Sequence, residues 1–418
     1  MTGTPAQRPT AADLARRYGT PLYVYDLDRV VAARRDLRAA LPESFTLYYS
    51  FKANPHPELA RALREIPDGP CRAEVCSEGE LDSALTAGFP AAEILYGGPG
   101  KTDGEITHAV AAGVRTFSVE SLGDLRRVGA VAREHGVTAD CLLRVNDTSS
   151  AGATSLRMTG APSQFGIDRE TLAEQAAELS AVPGTRLVGL HFFPLSNARD
   201  EDGLIREFRQ SIATAAALHT ELGLPLRVLD LGGGFAAPYA VPGERPVYGR
   251  LRAALEDALD THLPRWRTGE IHLACESGRY LVGDCGELVV GVTNVKESRG
   301  RTFAVADGGV NTLGGMAGLG RLLPLAVRLD EEPGRATRTA TLVGPLCTPG
   351  DILGRDVELP DPAPGDLVTV PNVGAYGATA SLLLFLSRPA PVEAVVRGAE
   401  TVSVTRLVAQ RTPVGPGN

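Results

Sequence analysis

Eight short apolar runs, with helical stretches between them, constrain this 418-residue chain more than any other feature. The runs fall near 46–50, 71–75, 93–96, 115–118, 140–145, 186–191, 227–231 and 271–275. Helix-like stretches such as 78–87, 102–112, 122–134, 169–179, 202–222 and 250–263 lie between them. Strands separated by helical crossovers pair in parallel, because a parallel neighbour needs a connection long enough to return over the sheet. Eight such units predict an α/β fold, a (β/α)8 TIM barrel. The longer gaps after the fifth and sixth runs leave room for active-site loops.

After Glu276 the texture changes. Strand-like runs at 287–295, 302–306, 325–329, 339–343, 366–370 and 402–408 are joined by turn-rich segments such as Asp361-Pro-Ala-Pro-Gly365. The only helical hint there is Tyr376 to Leu384. This predicts a C-terminal β-rich domain, joined by the alternating N-terminal strand at 21–26. The expected division is an N-terminal segment at 1–40 contributing to the β domain, the barrel at 41–280 and the β domain at 281–418.

Composition narrows the partners. A net charge of −8 argues against nucleic acid or an anionic membrane surface. The longest apolar run, Leu382 to Leu386, is far too short to span a bilayer. The first residues lack the basic and apolar regions of a secretory signal, so a cytoplasmic location is expected. Six cysteines show no metal-ligand spacing, which predicts no metal site and free thiols in a reducing compartment.

Catalytic groups of a parallel barrel gather at the carboxyl ends of its strands. Lys52 follows the first strand in Tyr48-Tyr-Ser-Phe-Lys-Ala-Asn-Pro55. Desolvation lowers a lysine's pKa and makes it a nucleophile toward carbonyls, although such a lysine ordinarily just reaches solvent. The seventh strand ends in Gly232-Gly-Gly234, where bare N–H groups can approach an anion; alone it is more often a flexible turn. The eighth ends in Glu276-Ser-Gly-Arg279, alone more often a surface pair. His191 ends the sixth and reads as structural, with Ser196 in the loop beyond. An aldehyde-seeking lysine, phosphate-binding glycines and a carboxylate for a ring nitrogen together describe a pyridoxal 5'-phosphate site.

At this point the chain resembles a known group, the fold-type III pyridoxal-phosphate decarboxylases, which include diaminopimelate, ornithine and arginine decarboxylases. The resemblance runs from about residue 15 to about 398. It is carried by Tyr49-Ser-Phe-Lys-Ala-Asn54, Glu74-Val-Cys-Ser-Glu-Gly-Glu80, Ser163-Gln-Phe-Gly-Ile167 and Leu229-Asp-Leu-Gly-Gly-Gly-Phe235. It continues in Glu276-Ser-Gly-Arg279, Asp307-Gly-Gly309, Gly344-Pro-Leu-Cys-Thr-Pro-Gly-Asp351 and Gly374-Ala-Tyr376. The resemblance implies an alanine racemase-like barrel in which Lys52 holds the cofactor covalently. It implies that Gly233, Gly234, Arg279, Tyr376 and Ser196 hold the phosphate, and that Glu276 faces the pyridine nitrogen. It further implies that Cys347 protonates the substrate carbon after CO2 leaves, from the partner subunit of a homodimer with interfacial active sites. Without that context Cys347 reads as a buried thiol.

Departures from the family bear on the substrate. Phe193 stands where diaminopimelate and ornithine decarboxylases place a histidine that stacks on the cofactor, so the ring keeps a π face and loses a titratable group. Ser277 stands where the family usually shows proline. Thr348 replaces an acidic residue that contacts the substrate's distal amine. The loop 307–320 offers glycines and methionine in place of a carboxylate-gripping arginine and tyrosine, and Ser381-Leu-Leu-Leu-Phe-Leu-Ser387 replaces a polar stretch. A less charged substrate side is similar to that of relatives in siderophore and antibiotic pathways, which act on citryl-linked or carrier-bound amino acids. A pyridoxal-phosphate racemase is the first alternative; racemases place an arginine at the pyridine nitrogen, which Glu276 argues against. A non-catalytic, regulatory relative is the alternative of another class, and retention of Lys52, Glu276 and Cys347 argues against it.

Overall fold

The computed structural model describes residues 8–413 apart from 68, 70, 148–155, 158–161, 199 and 315–336. The chain forms two compact units. One comprises Val30–Ala237 and Arg245–Val282; the other draws on the chain up to Arg29, on Pro238–Glu244 and on the chain from Gly283 onward.

The first unit is the barrel. Its strands are Thr46–Ser50, Cys71–Val75, Ile94–Tyr96, Thr116–Val119, Ala139–Asn146, Thr185–His191, Val228–Asp230 and His272–Ser277. Each pairs in parallel with the next. The eighth pairs with the first, which closes the barrel and sets Glu276 beside Tyr48. Asp230 stands level with both His191 and Ala274. Tyr48, Leu95, Leu142, Val188 and Ala274 pack into a common core cluster. Several helices start where the sequence supplies caps. Ser77 and Ser121 each accept an N–H of the first turn, and Thr102 with Glu105 forms a reciprocal capping box. Gly113 ends its helix at φ +106°, a conformation that would strain a side-chain-bearing residue.

The second unit is a mixed sheet in the order Ile352–Pro360, Thr337–Val343, Arg301–Ala306, Gly286–Ser298, Leu22–Asp26, Val392–Arg397, Glu400–Arg406. Leu367–Val370 also pairs with Gly286–Ser298. The N-terminal strand lies inside this sheet, antiparallel to Gly286–Ser298 and parallel to Val392–Arg397. All five of its residues are buried, which a central strand requires. Leu14, Leu22, Val24, Val289, Val392, Ala394 and Val396 share one core cluster.

The structure adds two strands to the sequence expectation and removes one helix. Ile352–Pro360 and Val392–Arg397 are strands that the pattern does not flag. The first is bent at Asp356, whose φ is +51°, and the second is buried along five of its six residues, so neither alternates cleanly. The helix expected at 376–384 is absent: only the short 3-10 turns Ala378–Ala380 and Phe385–Ser387 form there. Tyr376 at φ +54° and Leu386 at φ +56° are incompatible with a right-handed helix. The strand expected at 325–329 and the last part of the 307–320 loop lie outside the described residues. Among the described residues no helix is long and apolar enough to cross a membrane.

Candidate active site

Lys52 sits just past the first barrel strand, in the 3-10 turn Phe51–Ala53. Its Nζ lies 3.1 Å from Glu74 Oε2 and 3.9 Å from Glu276 Oε2. The lysine keeps 36% of its side chain exposed while the two carboxylates are 4% and 1% exposed, so the amine is reachable and its anions are dry. A cation between two desolvated anions is held strongly, because the local dielectric is low. Gly278 packs against the same turn so closely that a Cβ there would lie 2.6 Å from the Ala53 Cβ.

Glu74 belongs to this cluster and received no role from the sequence, although it occupies the carboxyl end of the second strand, where the same reasoning applies. Its carboxylate also accepts a hydrogen bond from Cys76 Sγ at 2.9 Å. Burial first, then the Glu74 charge, pushes the Cys76 thiol well up, so it remains protonated as a donor. Glu80 accepts from the Cys76 N–H at 2.7 Å, and burial raises its carboxyl to about 7.

Phe193 turns its face to Lys52, whose Nζ is 5.0 Å from the ring centroid. The Arg144 guanidinium lies 5.7 Å from the same centroid and 4.6 Å from that of Phe165. Glu120 fixes Arg144 at 2.9 Å and accepts the Gly166 N–H at 2.6 Å, which anchors the Ser163–Ile167 segment to the barrel.

The glycine turn after the seventh strand is built for close approach. A Cβ at Gly233 would lie 2.9 Å from the Glu276 carbonyl oxygen and 3.1 Å from Phe193. Gly234 has φ +123°, and a Cβ there would lie 2.6 Å from Leu195. Among the described residues the N–H groups of Gly233 and Gly234 donate to no acceptor. Ser196 is half-buried in the short strand Leu195–Ser196. Arg279 is 7% exposed and begins the helical turn Arg279–Val282. Glu276 and Arg279 are therefore both buried, which excludes a surface pair.

Lys52, Glu74, Phe193, Gly233 and Glu276 thus come together in the barrel unit. Cys347, Thr348 and Tyr376 belong to the β-rich unit. Cys347 is exposed, in contrast to the buried-thiol alternative. Its turn is held by Asp351, which accepts the N–H of Val310 at 2.7 Å and of Leu346 at 2.6 Å. Thr348 Oγ1 accepts from the Gly350 N–H at 3.3 Å. Tyr376 is half-buried, and its carbonyl accepts from the Tyr239 hydroxyl at 2.9 Å.

Comparison with known families decides the class. Residues 27–283 match the family described as pyridoxal-dependent decarboxylase, pyridoxal binding domain. The chain belongs to this family. It is 33% identical to the L-glutamyl-[BtrI acyl-carrier protein] decarboxylase of Niallia circulans, over 94% of this chain and 92% of that relative. It is 30% identical to the 2-[(L-alanin-3-ylcarbamoyl)methyl]-2-hydroxybutanedioate decarboxylase of Staphylococcus aureus, over 88% of this chain and 92% of the relative. Among solved structures it is similar to diaminopimelate decarboxylase from Helicobacter pylori in complex with L-lysine, with TM-score 0.80, 25% identity and 95% coverage of both chains. This decarboxylase therefore uses pyridoxal 5'-phosphate to decarboxylate an amino acid. The residues present fit that cofactor: an accessible lysine amine, an open pair of glycine N–H groups that a side chain would close, and a buried carboxylate 3.9 Å from the lysine.

Proposed function

We propose that this decarboxylase acts on an amino acid conjugated to a larger group or tethered to a carrier, in a specialised-metabolite pathway. The observation that carries the reading is Thr348. It places a neutral hydroxyl, already engaged by the Gly350 N–H, directly after the exposed Cys347. A free diamino acid presents a distal ammonium, which calls for a charged partner. A conjugated substrate presents no such charge. The carrier-linked and amide-linked substrates named for the two curated relatives support the same reading.

In this reading Lys52 would hold the cofactor covalently through its amine, with Glu74 keeping that amine aimed. Gly233, Gly234, Ser196, Arg279 and Tyr376 hold the phosphate, and Phe193 lies against the ring. When bound, the cofactor's ring accepts the electron pair left as the substrate's carboxylate departs as CO2. Glu276 keeps the ring nitrogen protonated. Cys347 Sγ, contributed across a homodimer interface, delivers a proton to the substrate's α-carbon.

Thr348→Glu tests the specificity claim, because it restores a carboxylate for a distal ammonium. The expected result is that kcat/KM for free diaminopimelate or ornithine rises at least about tenfold relative to a conjugated substrate. An unchanged ratio would remove Thr348 as the determinant.

A further inference from the structure

His191 ends the sixth barrel strand, where a strand-end residue with a purely structural role was expected. Its ring is engaged on both sides. Nδ1 lies 2.6 Å from Ser118 Oγ on the fourth strand, and Nε2 lies 3.1 Å from Glu276 Oε1 on the eighth. Nothing in this cluster is wet: Ser118 is 1% exposed, His191 4%, Glu276 1% and Asp230 0%. Ligand atoms of His191, Asp230 and Glu276 all lie within 4.8 Å of one another. Asp230 Oδ1 accepts the Gly232 N–H at 2.9 Å, while Asp230 Oδ2 meets no donor among the described residues. The Nε2–Glu276 line is too far off-axis for an aligned hydrogen bond, so the pair is held by charge.

Two ionised carboxylates beside a neutral imidazole in a dry barrel would cost several kcal/mol per ion. Protons or a metal ion are the two ways to neutralise such a set. A divalent cation is disfavoured here, because Lys52 Nζ already stands 3.9 Å from Glu276 and the Arg144 charge bears on the same carboxylate. Protons remain.

We propose that His191 is a positioning residue for the decarboxylation: as an imidazolium seated on Ser118, it fixes the charge and direction of Glu276, while Asp230 carries a proton. The inference rests on the reading that Glu276 faces the cofactor's ring nitrogen. A carboxylate that must stay ionised there needs a fixed counter-charge behind it, and His191 occupies that position.

The groups facing the imidazole are Glu276 on the eighth strand, Asp230 on the seventh and Arg144 on the fifth. Tyr48 on the first strand faces both carboxylates. Burial, the largest single effect, lowers a histidine, yet the contact with Glu276 and the Asp230 charge together outweigh it and leave His191 raised. Burial alone raises a carboxyl, yet His191, with Lys52 and Arg144 behind it, holds Glu276 low. Asp230 has burial and the Glu276 charge acting together, and it is raised.

Imidazole 15N NMR of the cofactor-loaded protein, with its seven histidines labelled, tests the charge. His191, assigned with His191→Asn, is expected to be doubly protonated at neutral pH and neutral in Glu276→Gln. A neutral His191 in the unsubstituted protein overturns the proposal. Ser118→Ala, a milder change to the core, is expected to lower the His191 titration midpoint; an unmoved midpoint removes Ser118 from it. Cofactor affinity gives the second arm. His191→Asn is expected to weaken binding about tenfold, and to weaken it no further in the Glu276→Gln background. Equal losses in both backgrounds would overturn the positioning role. If Glu276→Gln alone leaves cofactor affinity and absorbance unchanged, the ring-facing reading of Glu276 fails, and the NMR arm still decides whether His191 charges it.

Discussion

Asp351 in the β-rich unit and Asp230 in the barrel are both buried aspartates, 3% and 0% exposed, with little else in common. Both Asp351 oxygens accept backbone N–H groups, which ties the turn carrying Cys347 to the segment starting at Asp307. Asp230 has one such bond, and its other oxygen faces Glu276 and His191 without a donor. Burial raises the pKa of each, but at Asp351 the two N–H groups act against it, whereas at Asp230 the Glu276 charge adds to it. The β-rich unit uses its buried acid as a clamp. The barrel sets its acids against one another at the strand ends, so that burial and the Glu276 charge raise Asp230 while His191 holds Glu276 low.

The largest effect expected from this division comes from disabling each unit separately. Lys52→Ala removes the covalent cofactor link and lowers activity by several orders of magnitude. Cys347→Ala leaves cofactor bound and impairs turnover. If the two units serve each other across a homodimer, re-equilibrating a mixture of the variants restores about a quarter of full activity, since half the dimers are mixed and each has one intact site. No recovery would place both residues in sites of one chain.

Next in size, Asp351→Ala leaves the Val310 and Leu346 N–H groups without their acceptor, at a cost of about 2–5 kcal/mol by denaturant titration. Stability within 0.5 kcal/mol of the parent, on the order of measurement scatter for surface changes, would contradict the clamp.

Asp230→Asn is the smallest and has the opposite sign. The folded pKa of Asp230 is raised, so the folded protein keeps a proton that the unfolded chain releases above its ordinary aspartate value near 3.8. Folding stability is therefore lost as pH rises from there through the raised value. Asparagine still accepts from Gly232 and has nothing to ionise. The variant is expected to match the parent near pH 4 and exceed it by about 1–3 kcal/mol at pH 8. A pH-independent difference would contradict the opposition assigned to the barrel acids.

Much of this fold is legible in the sequence because its signals are local. Eight apolar runs separated by helices specify a closed parallel barrel, and Pro21–Asp26 is too apolar and aromatic to be a tail. That Lys52, Gly233 and Glu276 lie at the carboxyl ends of barrel strands follows from the apolar runs themselves, whereas Phe193 is singled out only through the family resemblance. Glu74 and the pairing of His191 with Glu276 were not legible, because which side chains meet across a barrel depends on register and inward-facing order, which no single run displays. The two unflagged strands were lost to a bend at Asp356 and to burial along nearly the whole of Val392–Arg397, both of which erase alternation.

The central claim is that the decarboxylase takes a conjugated or tethered amino acid. The most direct test is mass-spectrometric detection of CO2 loss by the pyridoxal-phosphate-loaded protein. The panel sets meso-diaminopimelate, ornithine, lysine and arginine beside citryl-linked and carrier-bound amino acids. Loss confined to a conjugated substrate is the predicted result. Rapid loss from free diaminopimelate would contradict it and make Thr348 a neutral replacement.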